Sequence, residues 1–303
     1  FQLGLLLDPY PVLAPAAATS ATTVAALFVE GRRLQARLRA VLAEERVKAA
    51  RVEGELAAAA EIQSGMLLPR EDLARLSPAI DLDAVLQPAR DVGGDLYDAF
   101  MLEDARLCFL VGDVTGKGVP AALFMALSKS LARSLLTRPG VDLAAAVAQI
   151  NTELARDNRE DMALTLLVGI IRPGEGEIDL VCAGHENPLV AGADGQVRDA
   201  PLRGGPPLCV DPDFPYALER LRLQPGETLI AFTDGLTEAQ DPDGRLLPRA
   251  DLLAAVSQAA KAPTAAGVVD AVVASVRAFE AGSEPSDDLT VLAVRLSAAP
   301  LPR

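Results

Sequence analysis

From residue 69 onward, short apolar runs alternate with polar punctuation. The runs LDAVLQPA, RLCFLVGDV, MALTLLVGIIR, IDLVCAG, ETLIAFTDG and LTVLAVRL are rich in Val, Ile and Thr, and each is bounded by Gly, Asp or Pro. That texture predicts short strands. Between them the apolar spacing changes to three and four over residues 120–137, 141–158, 249–260 and 264–280, which predicts helices. RPGEGE (172–177) and GADGQ (192–196) each join two apolar runs, as hairpin turns do. Hairpins followed by helices, without regular strand–helix–strand alternation, predict antiparallel sheets with helices on their outer faces.

Ahead of Pro69 the pattern is different. Residues 30–68 contain no proline, and Leu34, Leu38, Val41, Val52, Leu56, Ile62 and Met66 recur mostly at spacings of three and four, with polar breaks near Glu45 and Lys48. This imperfect heptad seam suits a parallel dimeric helix, or a single amphipathic helix packed on its own domain. Further upstream, residues 9–29 carry no charge, and 13 of the 18 residues from 12 to 29 are apolar, just enough to cross a bilayer with help from the flanks. Arg32, Arg33, Arg37 and Arg39 follow, the basic flank expected on a cytoplasmic side. Pro15 and the Thr19, Ser20, Thr22 and Thr23 cluster dilute the run and suit a soluble apolar helix instead. A signal peptide fits less well, because its basic residues would come first. The chain starts at Phe1, as a fragment would.

Charge narrows the partners. The net charge of −14 is uneven: residues 1–70 hold 8 Lys+Arg and 7 Asp+Glu, so the rest carries −15. An acidic body argues against nucleic acid, whose phosphates need clustered Lys and Arg, and is compatible with divalent cations. Cys108, Cys182 and Cys209 are far apart with no CxxC and no Cys-x5-Arg. Neither a zinc cluster, nor a disulfide framework, nor a cysteine-nucleophile phosphatase is indicated; buried thiols fit.

Four acidic turns sit at predicted strand ends: DVGGDLYD (91–98), VGDVTGKG (111–118), FTDGLTEA (232–239) and SDDLTVLAV (286–294). Strand ends converge more readily than strand middles, so these carboxylates can share one pocket. Clustered like charges repel unless one is protonated or a cation sits among them, and hard divalent cations take carboxylate, carbonyl and water oxygens. A single Asp-Gly is most often a surface turn; four in this context weaken that reading. GDVTGKG also suggests a phosphate-binding loop. Walker A, however, needs four residues between its first Gly and the Gly-Lys pair, then Ser or Thr. Here only Asp113, Val114 and Thr115 separate Gly112 from Gly116, and Gly118 follows Lys117.

Taken in order, AAEIQSGMLLP, GGDLYDAF, VGDVTGKGVPAALFMA, CAGHENPLV, GGPPL, FTDGLTEA and DDLTVLAV resemble the SpoIIE/RsbU-type serine phosphatases, the bacterial branch of the metal-dependent PPM protein phosphatases. The resemblance runs over about residues 58–296. It implies an α+β fold, a four-layer α-β-β-α sandwich preceded by a long linker helix. It also implies hydrolysis of phosphoserine or phosphothreonine, usually on a STAS-type anti-sigma-factor antagonist, by a water activated between two Mn2+ or Mg2+ ions and without a phosphoenzyme. Carried over to this chain, Asp95, Asp113, Asp234 and Asp287 match metal positions. Asp113 would bridge the ions and the Val114 carbonyl would adjoin it, with Asp113 and Asp234 the residues nearest the chemistry. Asp288 falls where relatives outside this branch carry Asn. Asp98 has no ligand role and is expected to be exposed or to stand behind the ligands.

The organisation expected is then a membrane-segment end or truncated sensor region (1–30), a coiled-coil-like linker (31–68), a phosphatase domain (69–298) and a tail (299–303). Residues 31–68 would form a homodimer, and residues 9–29 would attach a cytoplasmic catalytic domain to the inner membrane. The rivals are a catalytically silent partner-binding module and a nucleotide-handling enzyme, either a P-loop NTPase or a cyclase. His185, the single histidine, reads as a turn organiser rather than a general acid. Lys117 either draws in phosphate or is simply solvated. Cys182, Cys209 and the Leu247-Pro248 pair depart from residues common in the family, which predicts altered local turn geometry there but leaves the metal positions intact.

Overall fold

The structure is a computed structural model that describes residues 10–156 and 158–297, with side chains from residue 26 onward. It divides into two compact units after Glu55. The first is helical. It is formed by the long helix α1 (Tyr10–Met66), whose residues 26–55 are almost all exposed. Leu34 (67 % exposed), Leu38, Val41, Leu42 and Val52 lie open on it, so the apolar seam has no partner within this unit. The uncharged run 9–29 falls largely on residues outside those whose side chains are described.

The second unit contains the end of α1, the short helix α2 (Arg70–Leu73) and two sheets. The described strands form two five-stranded antiparallel sheets. One has the order β1 (Ile80–Gln87), β10 (Leu289–Leu296), β9 (Thr228–Phe232), β6 (Leu189–Ala191), β7 (Val197–Asp199). The other has the order β2 (Leu96–Met101), β3 (Leu107–Val114), β4 (Leu164–Ile171), β5 (Glu177–Ala183), β8 (Glu219–Arg222).

Alternation along each strand assigns three cores. Side chains such as Tyr97, Phe109, Leu167, Leu180, Leu229, Ala231 and Leu292 meet between the sheets. The opposite face of the β2–β8 sheet packs Leu110, Leu166 and Val181 against α3 (Val119–Leu136) and α4 (Leu143–Arg156). The outer face of the β1–β7 sheet packs Ile230, Phe232 and Val291 against α5 (Arg249–Ala259) and α6 (Ala265–Glu280). The result is the expected α-β-β-α sandwich. Both sheets are covered on both faces, which is why their strands read as near-continuous apolar runs. The hairpins at 172–177 and 192–196 join β4 to β5 and β6 to β7.

Local chemistry sets the helix starts. Gly118 (φ +78°) turns the chain into α3, with Pro120 in its first turn, where a missing N–H costs nothing. The Thr264 hydroxyl caps α6 by accepting from the Gly267 N–H at 3.1 Å. Among the described residues α3 is the helix long and apolar enough to span a bilayer. In this fold Ala121, Met125, Ala132 and Leu136 are buried against the sheet, while Leu123 and Leu127 on the other side of the helix are exposed. Cys209 keeps a glycine-like backbone (φ +73°). Asn151 holds that turn, accepting from the Cys209 N–H and donating to the Asp211 carbonyl, both at 2.7 Å.

Candidate metal centre

The two sheets contribute acids to the same place. In the first sheet, β9 ends at Phe232 and runs through Thr233 into the 3-10 turn Asp234–Leu236, while Asp287 and Asp288 lead into its neighbour β10. In the second, Asp95 precedes β2, and Asp113 is the penultimate residue of β3, opposite Thr165 of β4. The sheets are fastened to each other here. The hydroxyls of Thr233 and Thr290 donate to Asp95 Oδ2 at 2.7 and 2.5 Å, and the Thr290 N–H donates to the Thr233 hydroxyl oxygen at 3.1 Å.

Asp95 and Asp113 meet carboxyl to carboxyl within hydrogen-bond reach. Burial, and then the Asp113 charge, hold Asp95 well above the usual carboxylate range. Burial, followed by the charges of Asp234 and Asp287, pushes Asp113 up to about 7. Burial and the Asp287 charge push Asp234 up to about 6. Four acids thus feel one another in a half-dry cleft, an arrangement that requires protons or cations to persist at neutral pH.

Glycines permit the close approaches. A Cβ at Gly94 would lie 2.7 Å from the Val114 carbonyl oxygen and 3.3 Å from Asp113 Oδ1. One at Gly235 would land on the Asp288 carbonyl oxygen. Asp288 acts as a bracket: Oδ1 accepts from the Ala89 N–H at 2.8 Å and Oδ2 from the Gly94 N–H at 2.7 Å. Its oxygens are used in shaping the 89–94 loop.

Two further features were not read from the residues alone. Gln63, near the end of α1, is buried, and its amide spans the Gly93 peptide. Its Nε2 donates to the Gly93 carbonyl at 2.6 Å, and its Oε1 accepts from the Gly93 N–H at 3.1 Å. Asp98 is fully buried and does not stand behind the cleft acids, which corrects both of its expected placements. On β2 it points to the opposite face from Tyr97 and Ala99, where Arg133 of α3 bonds both its oxygens at 2.8 and 2.7 Å and Lys129 Nζ lies 3.0 Å away. It ties α3 to the sheet and has no part in the acid cluster. His185 sits between elements, its Nδ1 2.9 Å from the Thr165 hydroxyl and its ring beside the Phe232 backbone. Burial pushes its pKa down to about 4, so at neutral pH it is uncharged.

The donor set fits hard divalent ions. It offers carboxylate oxygens and the Val114 carbonyl, with no thiolate or imidazole among them. Among the described residues no group of three or more His, Cys, Asp or Glu side chains forms a ready-made cage.

Residues 103–297 match the family model for stage II sporulation protein E (SpoIIE). The chain belongs to the SpoIIE/RsbU-type PPM phosphatase family. Over 240 residues it is 32 % identical to protein IcfG of Synechocystis, covering 70 % of this chain and 37 % of that protein. Over 205 residues it is 27 % identical to the phosphoserine phosphatase RsbU of Bacillus subtilis, covering 66 % and 58 %. The chain therefore spans less than two thirds of the length of these curated relatives. The PP2C domain of SiaA from Pseudomonas aeruginosa shares the fold, with a TM-score of 0.70 and 21 % identity over 82 % of this chain and 98 % of that one. The family model covers Asp113, Asp234 and Asp287, while Gln63 and Asp95 lie ahead of its first matched residue.

Proposed function

We propose that this member of the SpoIIE/RsbU family is a protein-serine/threonine phosphatase that dephosphorylates a regulatory protein, a STAS-type anti-sigma-factor antagonist. The observation that carries the reading is the convergence of Asp95, Asp113, Asp234 and Asp287 from two sheets into one cleft, where burial and mutual repulsion raise Asp113 and Asp234. A relative named as a phosphoserine phosphatase supports the substrate class.

Asp113, the Val114 carbonyl, Asp95, Asp234 and Asp287 would hold two Mn2+ or Mg2+ ions, which when bound supply Lewis acidity and a water of lowered pKa. The chain's own part is to fix that donor set. Thr233 and Thr290 orient Asp95, and Asp288 shapes the loop that carries Gly94. Neither a phosphate-cradling loop of Walker spacing nor a cysteine nucleophile is needed. The test is phosphate release from a phosphoserine STAS protein. Release that requires added Mn2+ or Mg2+ is the expected result. Partner binding without hydrolysis would favour the silent-module reading, and nucleotide turnover the NTPase or cyclase reading.

The linker reading rests on the exposed seam of α1. Leu34, Leu38, Val41, Leu42 and Val52 lie open along one helix, and burying them against the same face of a second copy is the economical solution. Chain containing residues 31–68 is expected to sediment as a dimer, with residues 9–29 as the membrane attachment of a cytoplasmic catalytic domain; a monomer at micromolar concentration would refute the dimer. Signals would then reach the cleft through the last turns of α1, where Gln63 holds Gly93.

A further inference from the structure

The turn after Asp113 carries one side chain that has no packing role. Lys117 stands between Gly116 (φ +93°) and Gly118 (φ +78°), and space is open around both glycines. Its ammonium nonetheless reaches across the cleft. Nζ donates to the Ser286 carbonyl at 2.7 Å and lies 2.8 Å from Asp287 Oδ2. The other Asp287 oxygen, Oδ1, accepts from the Asp288 N–H at 2.9 Å. Both oxygens of the fourth acid are therefore engaged, one of them by a cation that the chain itself supplies.

We propose that Lys117 is an internal counter-cation that competes with a divalent ion for Asp287, and so sets the concentration at which the weaker of the two ions binds. This rests on the two-ion reading above. A carboxylate oxygen that bonds an ammonium is a poorer metal donor, and an ammonium close to a divalent ion repels it. Release is still cheap. The Lys117 side chain is 42 % exposed and the Asp287 side chain 29 % exposed, so the pair belongs with surface ion pairs and is of modest strength. The long flexible lysine stem can swing into solvent when the ion arrives. The glycines on either side allow the backbone to follow.

The experiment is calorimetric titration of the metal-free full chain with Mn2+, which reads binding rather than turnover. Lys117→Met is expected to tighten the weaker binding event by about fivefold, the scale of a surface ion pair. Lys117→Arg, which keeps the charge, should stay near wild type. In an Asp287→Asn background, Lys117→Met should produce no tightening, because the group being competed for is gone. Unchanged or weaker binding in Lys117→Met would overturn the inference, as would equal tightening by Arg. If neither Asp113→Asn nor Asp287→Asn altered the titration, the two-ion reading itself would fail. If those two altered it and Lys117→Met did not, only the counter-cation role would fail.

Discussion

Asp113→Asn is expected to lower phosphate release by about three orders of magnitude or more, a barrier increase of about 4 kcal/mol, while the fold survives. Asp113 is the acid that faces both Asp95 and the Asp234–Asp287 pair, so its loss removes the carboxylate at the middle of the donor set that would hold the ions. Asparagine has the shape of a protonated aspartate, and nothing in the core needs to move. The same variant separates function from stability. Asp113 is raised from an ordinary 3.8 to about 7, so the folded chain favours its protonated form. Its favourable contribution is complete below about pH 4 and is lost as pH rises through 7. Without metal at pH 8, Asp113→Asn should therefore unfold at higher denaturant than wild type, by about 1–3 kcal/mol. Saturating Mn2+ should reverse that order, because it stabilises only the chain that binds it. Full activity in the variant, or wild type more stable than the variant without metal at pH 8, would contradict this account.

Gly235→Ala is the second large effect, and it acts through shape. Gly235 is buried in the 3-10 turn that Asp234 opens, and its missing Cβ is the space occupied by the Asp288 carbonyl. Main chain cannot swing aside as a flexible side chain can. The added methyl must push the Asp234 turn away from the start of β10, separating Asp234 from Asp287. A loss of about 2–4 kcal/mol in chemical denaturation is expected, at or above the usual range for overpacking, together with loss of the weaker Mn2+ binding event. Wild-type stability and metal titration in this variant would show that the two turns do not meet as described.

Much of the sandwich was legible because both sheets are covered. Strands such as β10, LTVLAVRL, are buried on both faces, so their composition alone marks them. β2 was less visible: LYDAFM places Asp98 in mid-strand, and a charged residue there reads as loop until Arg133 and Lys129 are seen to neutralise it from α3. The polar edge strand β8, ERLR, carries no apolar run at all. In the cleft, aspartates followed by Gly or Thr at strand ends were readable, since carboxylates in that setting are hard to explain otherwise. Their supports were not. Thr233 and Thr290 stand 138 and 195 residues from the Asp95 they orient, and spacing carries no trace of such a contact. A weak signal did exist in the threonine directly before Asp234 and the one two residues after Asp288. Cys209 shows a different limit. Its departure from glycine suggested altered backbone geometry, yet the chain keeps the left-handed turn and braces it with Asn151.

The grip of Gln63 on Gly93 has a consequence for how short the catalytic unit can be. An amide that bonds both the N–H and the C=O of one residue imitates a neighbouring antiparallel β-strand, and here it is supplied by a helix. A fragment cut to begin at Pro69 would retain every acid of the cleft and every strand of both sheets. It would nevertheless leave the Gly93 carbonyl and N–H without their protein partner, one residue before the Gly94 N–H that Asp288 holds. The contacts that hold the 89–94 loop therefore begin inside α1, more than one turn ahead of the first strand.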